Sequence, residues 1–484
     1  MNLRRFTLAL LAALFALVAT AARPPNIVFI LADDLGINDL HCYGRADQHT
    51  PKLDRLAQQG LRFTSAYCAQ PICSPSRAAI LTGKAPARLH LTTYLPGRPD
   101  CVSQKVLHPE IEMQVPLSEK TIARYFKGAG YTSAAIGKWH VGGRGFGPRE
   151  QGFDFYHPGQ ANTKPSATEG GKGEYDLTAA AEKFIEANRE RPFLVYLAHN
   201  APHIPYDAQP ARIANNAGAF EPVYAGVIET LDDTVGRLLA RLDALNLADH
   251  TIVVFTSDNG GLHVPEGPHP RVTHNTPYRA GKGFVYEGGL RIPLIVRWPG
   301  HVPAGRVVET PVLNTDWVPT LLELCGQPVP PGLDGRSFAG LLTGKAEPPA
   351  RPLFWHFPHY TNQGSRPSGA MREGRWMFVE YYDEAKVELY DLASDPSEAR
   401  DLAPQQPERI KRMRAALSAW RADVKAQENR PNPDFDPAKY RALYVDVDAS
   451  RFDPAHASPA QWEAMWQWRK AMNAAVSQAQ KAKR

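Results

Sequence analysis

Cys73 lies two residues before a proline and four before an arginine in the stretch QPICSPSRAAILTGK, residues 70–84. Proline is tolerated in the first turn of a helix, where a missing N–H is no loss, so the spacing predicts a helix that starts at or just after Cys73 and carries Arg77 on the same face. Sulfur at a helix N-terminus beside a guanidinium sits in a positive local field, which suits a reactive thiolate or an anionic substrate. A buried, inert cysteine is the other reading of that position. Asp33, Asp34, Asp258 and Asn259 offer three carboxylates and an amide, all of them oxygen donors. Carboxylates gathered in one place repel one another unless a hard divalent cation sits among them, calcium first and magnesium second. Lys138, His140 and His203 add a cation and two imidazoles. Taken singly each of these residues reads as a turn, a cap, a surface charge or a structural histidine.

Their placement along the chain is what joins them. Continuous apolar runs at residues 26–32 (NIVFILA), 132–137 (TSAAIG), 193–199 (FLVYLAH), 251–257 (TIVVFTS) and 293–298 (PLIVRW) have the character of buried parallel strands. Between them Tyr224, Val227, Ile228, Leu231, Val235, Leu238, Leu239 and Leu242 recur every three or four residues, one apolar stripe of a helix. Strand and helix alternating in this way predict an α/β domain with helices on both faces of the sheet. Ligands of such sheets gather at the carboxyl ends of the strands. Four of the five runs end in Asp33–Asp34, in Lys138 and His140, near His203, and in Asp258–Asn259, so the donors, the lysine and the histidines all arrive at one edge.

The opening segment has Arg4 and Arg5, an apolar run from Phe6 to Val18 and then Ala19, Thr20 and Ala21, which reads as a secretory signal peptide over residues 1–22. The run is too short to span a bilayer comfortably, so no stable membrane span is expected and the mature chain is expected in the periplasm or outside the cell. A net charge of +5, which counts those two arginines, is too mild and dispersed for a nucleic-acid partner. Setting Cys73 aside leaves Cys42, Cys68, Cys101 and Cys325 for at most two disulfides, or for none. A composition shift near residues 343–352 divides a main domain, 23–345, from a smaller one, 346–428, in which antiparallel strands (371–382 and 386–392) and a helix (407–424) are expected. Residues 429–484 are expected as a tail over the surface.

With these residues in hand, a family resemblance is legible. CSPSRAAILTGK matches the Cys-x-Pro-x-Arg sulfatase signature, and GYTSAAIGKWHVG (130–142) resembles the second one. LADDLG, APHIPY, TSDNGG and NTPYRAGKGFVYEGGLRIPLIVRWPG resemble the remaining blocks of the formylglycine-dependent sulfatases of the alkaline phosphatase superfamily, in the family's order. The resemblance implies an alkaline phosphatase-like fold, a large mixed, mostly parallel sheet sandwiched by helices with a smaller C-terminal α+β domain. It implies that Cys73 is oxidised by a formylglycine-generating or equivalent maturation enzyme to an aldehyde that hydrates to a diol. Asp33, Asp34, Asp258 and Asn259 would hold calcium together with the modified Cys73, and Arg77 and Lys138 would steady the hydrate. His140 would take the proton of the second hydroxyl, while Lys282 and His203 would contact the sulfate and the leaving oxygen. The substrate implied is a sulfated carbohydrate, by likeness to one branch a hexosamine or galactose 6-sulfate. Two other functions remain open at this point: a phosphonate or phosphodiester hydrolase of the same superfamily, and a binder of sulfated glycans without catalysis if Cys73 stays unmodified. Candidate substrate contacts are His263, His269, Arg271, His274, Trp355, His356, His359 and Tyr360.

Overall fold

Every residue of the strand Asn26–Asp33 is buried. A run apolar on both faces can lie only in the middle of a covered sheet, and the computed structural model puts it there. The structure describes residues 23–160, 165–166 and 171–482; the expected signal peptide lies outside them. The strands in chain order are β1 (Asn26–Asp33), β2 (Leu61–Tyr67), β3 (Val106–Leu107), β4 (Thr132–Gly137), β5 (Phe155–Pro158), β6 (Phe193–Pro202), β7 (Thr251–Ser257), β8 (Arg291–Arg297), β9 (Arg306–Val308), β10 (Val312–Leu313), β11 (Leu353–Phe357), β12 (Ser368–Glu373), β13 (Trp376–Tyr381), β14 (Val387–Asp391) and β15 (Arg430–Pro431). Among the described residues the main sheet runs β10-β2-β8-β7-β1-β6-β4-β5, with β9 on β2.

β7, β1, β6, β4 and β5 are mutually parallel. β8 is the exception. It was expected among the parallel strands but runs antiparallel to both β7 and β2. The short helix Glu287–Leu290 leads directly into β8, so no crossover helix returns the chain to the far end of the sheet. The helix Pro222–Ala244 buries the predicted stripe, Leu239 alone of the eight remaining partly exposed. Each such aliphatic side chain removed from water contributes roughly 1.5–3 kcal/mol.

The smaller sheet, β11-β12-β13-β14, is antiparallel throughout. The helix Pro407–Asp423 covers one side of it, with Ile410, Met413 and Leu417 packed on Met371, Phe378 and Leu389. Trp355 and Phe357 belong instead to the main core, and the Trp355 indole N–H donates to the Cys68 carbonyl at 2.8 Å. The last segment starts by pairing β15 with β3. It ends in the helix Pro459–Ala482, whose Trp468 and Met472 enter the same core. No disulfide links the described cysteines, and no described helix is long and apolar enough to cross a membrane.

Candidate active site

β1 ends at Asp33, and Asp34 follows with φ of +66°; His140, just beyond β4, has φ of +58°. Side-chain-bearing residues seldom adopt this left-handed conformation, and a functional edge is where such strain collects. Gly137 closes β4 with φ of +97°, and a Cβ there would lie 1.9 Å from the Ala198 carbonyl oxygen. Only glycine lets the following Lys138 N–H reach that oxygen, at 2.9 Å, and turn its side chain back over the sheet edge. Cys73 is the first residue of the helix Cys73–Thr82, with Pro75 in the first turn.

These elements converge. The Cys73 Sγ lies 3.6 Å from Oδ1 of both Asp33 and Asp34. Lys138 Nζ donates to Asp33 Oδ2 at 2.6 Å, and Lys282 Nζ to Asp34 Oδ2 at 2.7 Å. The Arg77 guanidinium donates from Nε to Asp258 Oδ2 at 2.8 Å, with its Nη2 3.4 Å from Asp33 Oδ1. Asp258 Oδ1 accepts the Asp34 backbone N–H at 3.1 Å, and Asn259 Nδ2 donates to Asp34 Oδ1 at 2.8 Å. Ligand atoms of Asp33, Asp34, Cys73 and His203 all fall within 4.8 Å of one another. His203, expected only beside the leaving group, is thus drawn into the cluster, its Nε2 3.7 Å from Asp34 Oδ2. Asp258 joins it through Arg77 and the Asp34 backbone. His140 points to Leu95, whose carbonyl lies 2.9 Å from its Nε2.

The charges are ordered by burial and partners. Burial pushes the Asp33 carboxyl up, but Lys138, His203, Arg77 and Lys282 outweigh it and hold it well below the usual carboxylate range. Asp34 is lowered in the same way, chiefly by Lys282 against burial. Asp258 goes the other way: burial raises it to about 6 despite Arg77. Burial lowers both imidazoles to about 3, with help from Lys138 at His140 and Lys282 at His203, so both are neutral in this arrangement. The Leu95 carbonyl accepts, so the His140 proton sits on Nε2 and leaves Nδ1 as a bare acceptor. That Nδ1 is buried and has no hydrogen-bond partner among the described residues. Burial also raises the Cys73 thiol well above its ordinary value, more than Lys138 and Lys282 lower it. Burial therefore favours the thiol form of an unmodified Cys73 in this arrangement.

The donor set fits a hard divalent cation. The Asn259 Oδ1 is buried and, among the described residues, accepts no hydrogen bond. Leaving such an oxygen bare costs roughly 1–3 kcal/mol, a cost that a coordinated cation removes. Asp33, Asp34 and Asp258 supply the anionic oxygens such an ion prefers.

Comparison with known proteins identifies the lineage. Residues 25–327 match the family model described as Sulfatase, and residues 280–423 match the one described as N-sulphoglucosamine sulphohydrolase, C-terminal. The chain belongs to the sulfatase family. Human arylsulfatase A is 34% identical over 457 residues, covering 80% of this chain and 86% of the relative. Human N-acetylgalactosamine-6-sulfatase is 35% identical over 374 residues, 69% of each protein. Among solved structures, Ps i-CgsB in complex with k-i-k-neocarrahexaose superposes with a TM-score of 0.72 at 26% identity, covering 93% of this chain and 98% of that one. This sulfatase is a sulfuric ester hydrolase with an alkaline phosphatase-like fold.

The candidate substrate contacts of the sulfatase are largely spent on packing. Trp355, His356, His359 and Tyr360 are buried, hydrogen-bonded to the Cys68 carbonyl, the Gln427 carbonyl, Thr92 and Asp383 respectively. His263 is buried with its Nε2 on the Ala449 carbonyl, His269 stacks on Tyr206, the ring of His274 packs edge-on against Phe220, and Arg271 lies over Phe220 and Trp462. Lys172 carried no sequence signal, lying in a glycine-rich stretch without periodicity. Its ammonium donates to the His203 carbonyl at 2.7 Å, and burial lowers it to about 8.

Proposed function

We propose that this sulfatase is exported and hydrolyses sulfate monoesters of carbohydrates, using a formylglycine made from Cys73 and a hard divalent cation, calcium before magnesium, held by Asp33, Asp34, Asp258 and Asn259. The observation that carries the reading is the convergence of Cys73, three carboxylates and the bare Asn259 Oδ1 beneath Lys138 and Lys282. Export is supported by the character of the first 22 residues.

The cation, when bound, supplies charge compensation to the sulfate oxygens and acidifies an oxygen next to it. Formylglycine, when hydrated, supplies two hydroxyls on one carbon, one to attack sulfur and one through which sulfate is later expelled. The chain does the rest. Lys282 and Lys138 stand where two cations neutralise the peripheral sulfate oxygens. Arg77, wholly buried and pinned between Asp258, Asp33 and the Lys138 carbonyl, fixes the carboxylates rather than the substrate. His140 takes a proton at Nδ1, the atom its tautomer leaves bare. His203 serves the leaving oxygen at Nε2, because its Nδ1–H is spent on the Ile204 carbonyl, and it gives that oxygen a proton only from the imidazolium form, after Nε2 has itself been protonated. Cys73 is only 2% exposed in the folded chain, so its conversion precedes folding.

The test is release of inorganic sulfate from N-acetylgalactosamine 6-sulfate, beside the matched phosphate ester and before and after chelation of divalent metal. The expected result is sulfate release that exceeds phosphate release and that chelation abolishes and calcium restores. Faster hydrolysis of the phosphate ester would favour phosphoryl chemistry, and tight binding without turnover would favour a sulfated-glycan binder.

A further inference from the structure

A second polar cluster, contributed by three separate parts of the chain, overhangs the site. The hairpin made by the Glu266–His269 bridge lies on the segment that follows His203: Tyr206 N–H donates to His269 Nε2 at 3.2 Å, their rings stack at 3.9 Å, and a Cβ on Gly267 would lie 3.9 Å from Ile204. The Glu266 carboxylate accepts from Gln363 Nε2 at 2.7 Å on one oxygen and pairs with Arg469 Nη2 at 3.0 Å on the other. Gln363 in turn sits over Gly283, the neighbour of Lys282, where a Cβ would meet its Oε1 at 3.3 Å. The Lys282 ammonium is held charged against burial chiefly by Asp34, with Glu266 adding to it. Burial raises the hydroxyl of Tyr94, next to the Leu95 that orients His140; Arg98 opposes it and Glu266 adds to it. Glu266 is thus tied on one side to the segment after His203, through its own hairpin, and on the other to Gly283 beside Lys282, through Gln363.

The pair is asymmetric. The Arg469 side chain is 2% exposed and that of Glu266 21% exposed. The arginine, on the C-terminal helix Pro459–Ala482, is buried and fixes the carboxylate through Nη2, while the glutamate side chain keeps about a fifth of its surface open. An anchored carboxylate accepts hydrogen bonds from sugar hydroxyls and repels a second anionic group on the same ring. Specificity gained through repulsion costs the correct substrate little.

We propose that Glu266, positioned by Arg469 and Gln363, selects substrates in which the sulfated sugar presents hydroxyls rather than a second sulfate next to the scissile ester. This rests on the sulfatase reading above. Arg469 and Gln363 are positioning residues, and Glu266 is the specificity residue.

The experiment compares kcat/KM of the full-length mature enzyme and of Glu266→Gln on N-acetylgalactosamine 6-sulfate, N-acetylgalactosamine 4,6-disulfate and 4-nitrophenyl sulfate. The expected result is that the disulfate-to-monosulfate ratio rises by about tenfold or more in the variant. The monosulfated sugar is also expected to lose ground to the aryl ester, mainly through KM. An equal loss on all three substrates, or unchanged ratios, overturns the proposal by making the cluster a structural staple. A wild-type enzyme inactive on every sulfate ester fails the underlying reading instead, and the proposal with it. If Glu266→Gln does not fold, Gln363→Ala and Arg469→Lys are used, with the same ratio expected to shift in the same direction by a smaller factor; unchanged ratios there overturn the proposal equally.

Discussion

Arg279 and Lys282 are three residues apart, both buried and both facing a carboxylate, yet they serve opposite ends. Arg279 joins the main sheet's loops to the smaller sheet: Nη1 lies 3.3 Å from Glu388 Oε2 and donates to Tyr390 at 2.9 Å, and Nη2 donates to Ser450 at 2.7 Å. Both oxygens of Glu388 are used, Oε2 also by Tyr286 at 2.6 Å and Oε1 by Lys386 at 2.8 Å. At the sheet edge around Lys282, by contrast, Asn259 Oδ1 and His140 Nδ1 are buried acceptors without a hydrogen bond among the described residues. Left-handed backbone does not separate the two regions, since Asp34 and His140 have it at the site and Ala280 has it beside Arg279. A buried cluster whose acceptors are filled holds the fold together. One that keeps bare acceptors is arranged for something that arrives later.

The comparison is most exposed to failure at His140. His140→Ala is expected to lower kcat by about 10²–10⁴-fold, with little change in the thermal midpoint; a heavy loss of stability would put His140 with the seam. Next in size, Arg279→Ala takes the buried cation from Glu388 and leaves it only the half-exposed Lys386, and urea unfolding is expected to show a loss of about 3–5 kcal/mol. A loss below 1 kcal/mol would make the seam dispensable. Burial would raise the Glu388 carboxyl, but Arg279 and its other partners hold it at about 2, below the ordinary 4.5. Its contribution, about 3 kcal/mol, is fully present above pH 4.5 and fades as pH falls through 2. The stability gap between wild type and Glu388→Gln should therefore narrow across that window, and a gap that stays constant would contradict the pairing. The smallest effect is expected at Arg271, whose guanidinium rests on Phe220 and Trp462. Arg271→Ala is expected to cost about 0.5–1 kcal/mol of stability and to leave KM on the sulfated sugar within about twofold.

What could be read in the sequence follows the same division. The strands that end at the site are almost wholly buried, and two of them, β4 and β7, have the bounds the runs predicted. β2 escaped notice because LRFTSAY alternates buried and half-buried residues and has no apolar run. The direction of β8 also escaped, since an apolar run carries no sign of parallel or antiparallel pairing. Asp33, Asp34, Asp258 and Asn259 were legible because they sit at strand ends, where local sequence and the edge of the sheet coincide. Glu266, Gln363 and Arg469 were not. They meet from hairpin, loop and terminal helix, across as many as 203 positions, and nothing local to any one of them signals the other two. The aromatic and histidine-rich stretch at residues 354–360 looked like a rim and proved to be a strand and its exit, mostly buried. Aromatic side chains fill cores as readily as they line clefts.

The central claim is that residue 73 acts as a modified nucleophile, and the mass of the proteolytic peptide spanning it measures this most directly. The peptide should come from the enzyme as its native source produces it, with sulfate release followed on the same preparation. The expected finding is an aldehyde in place of the thiol, together with turnover that Cys73→Ala abolishes. An active preparation in which residue 73 is an intact thiol would contradict it.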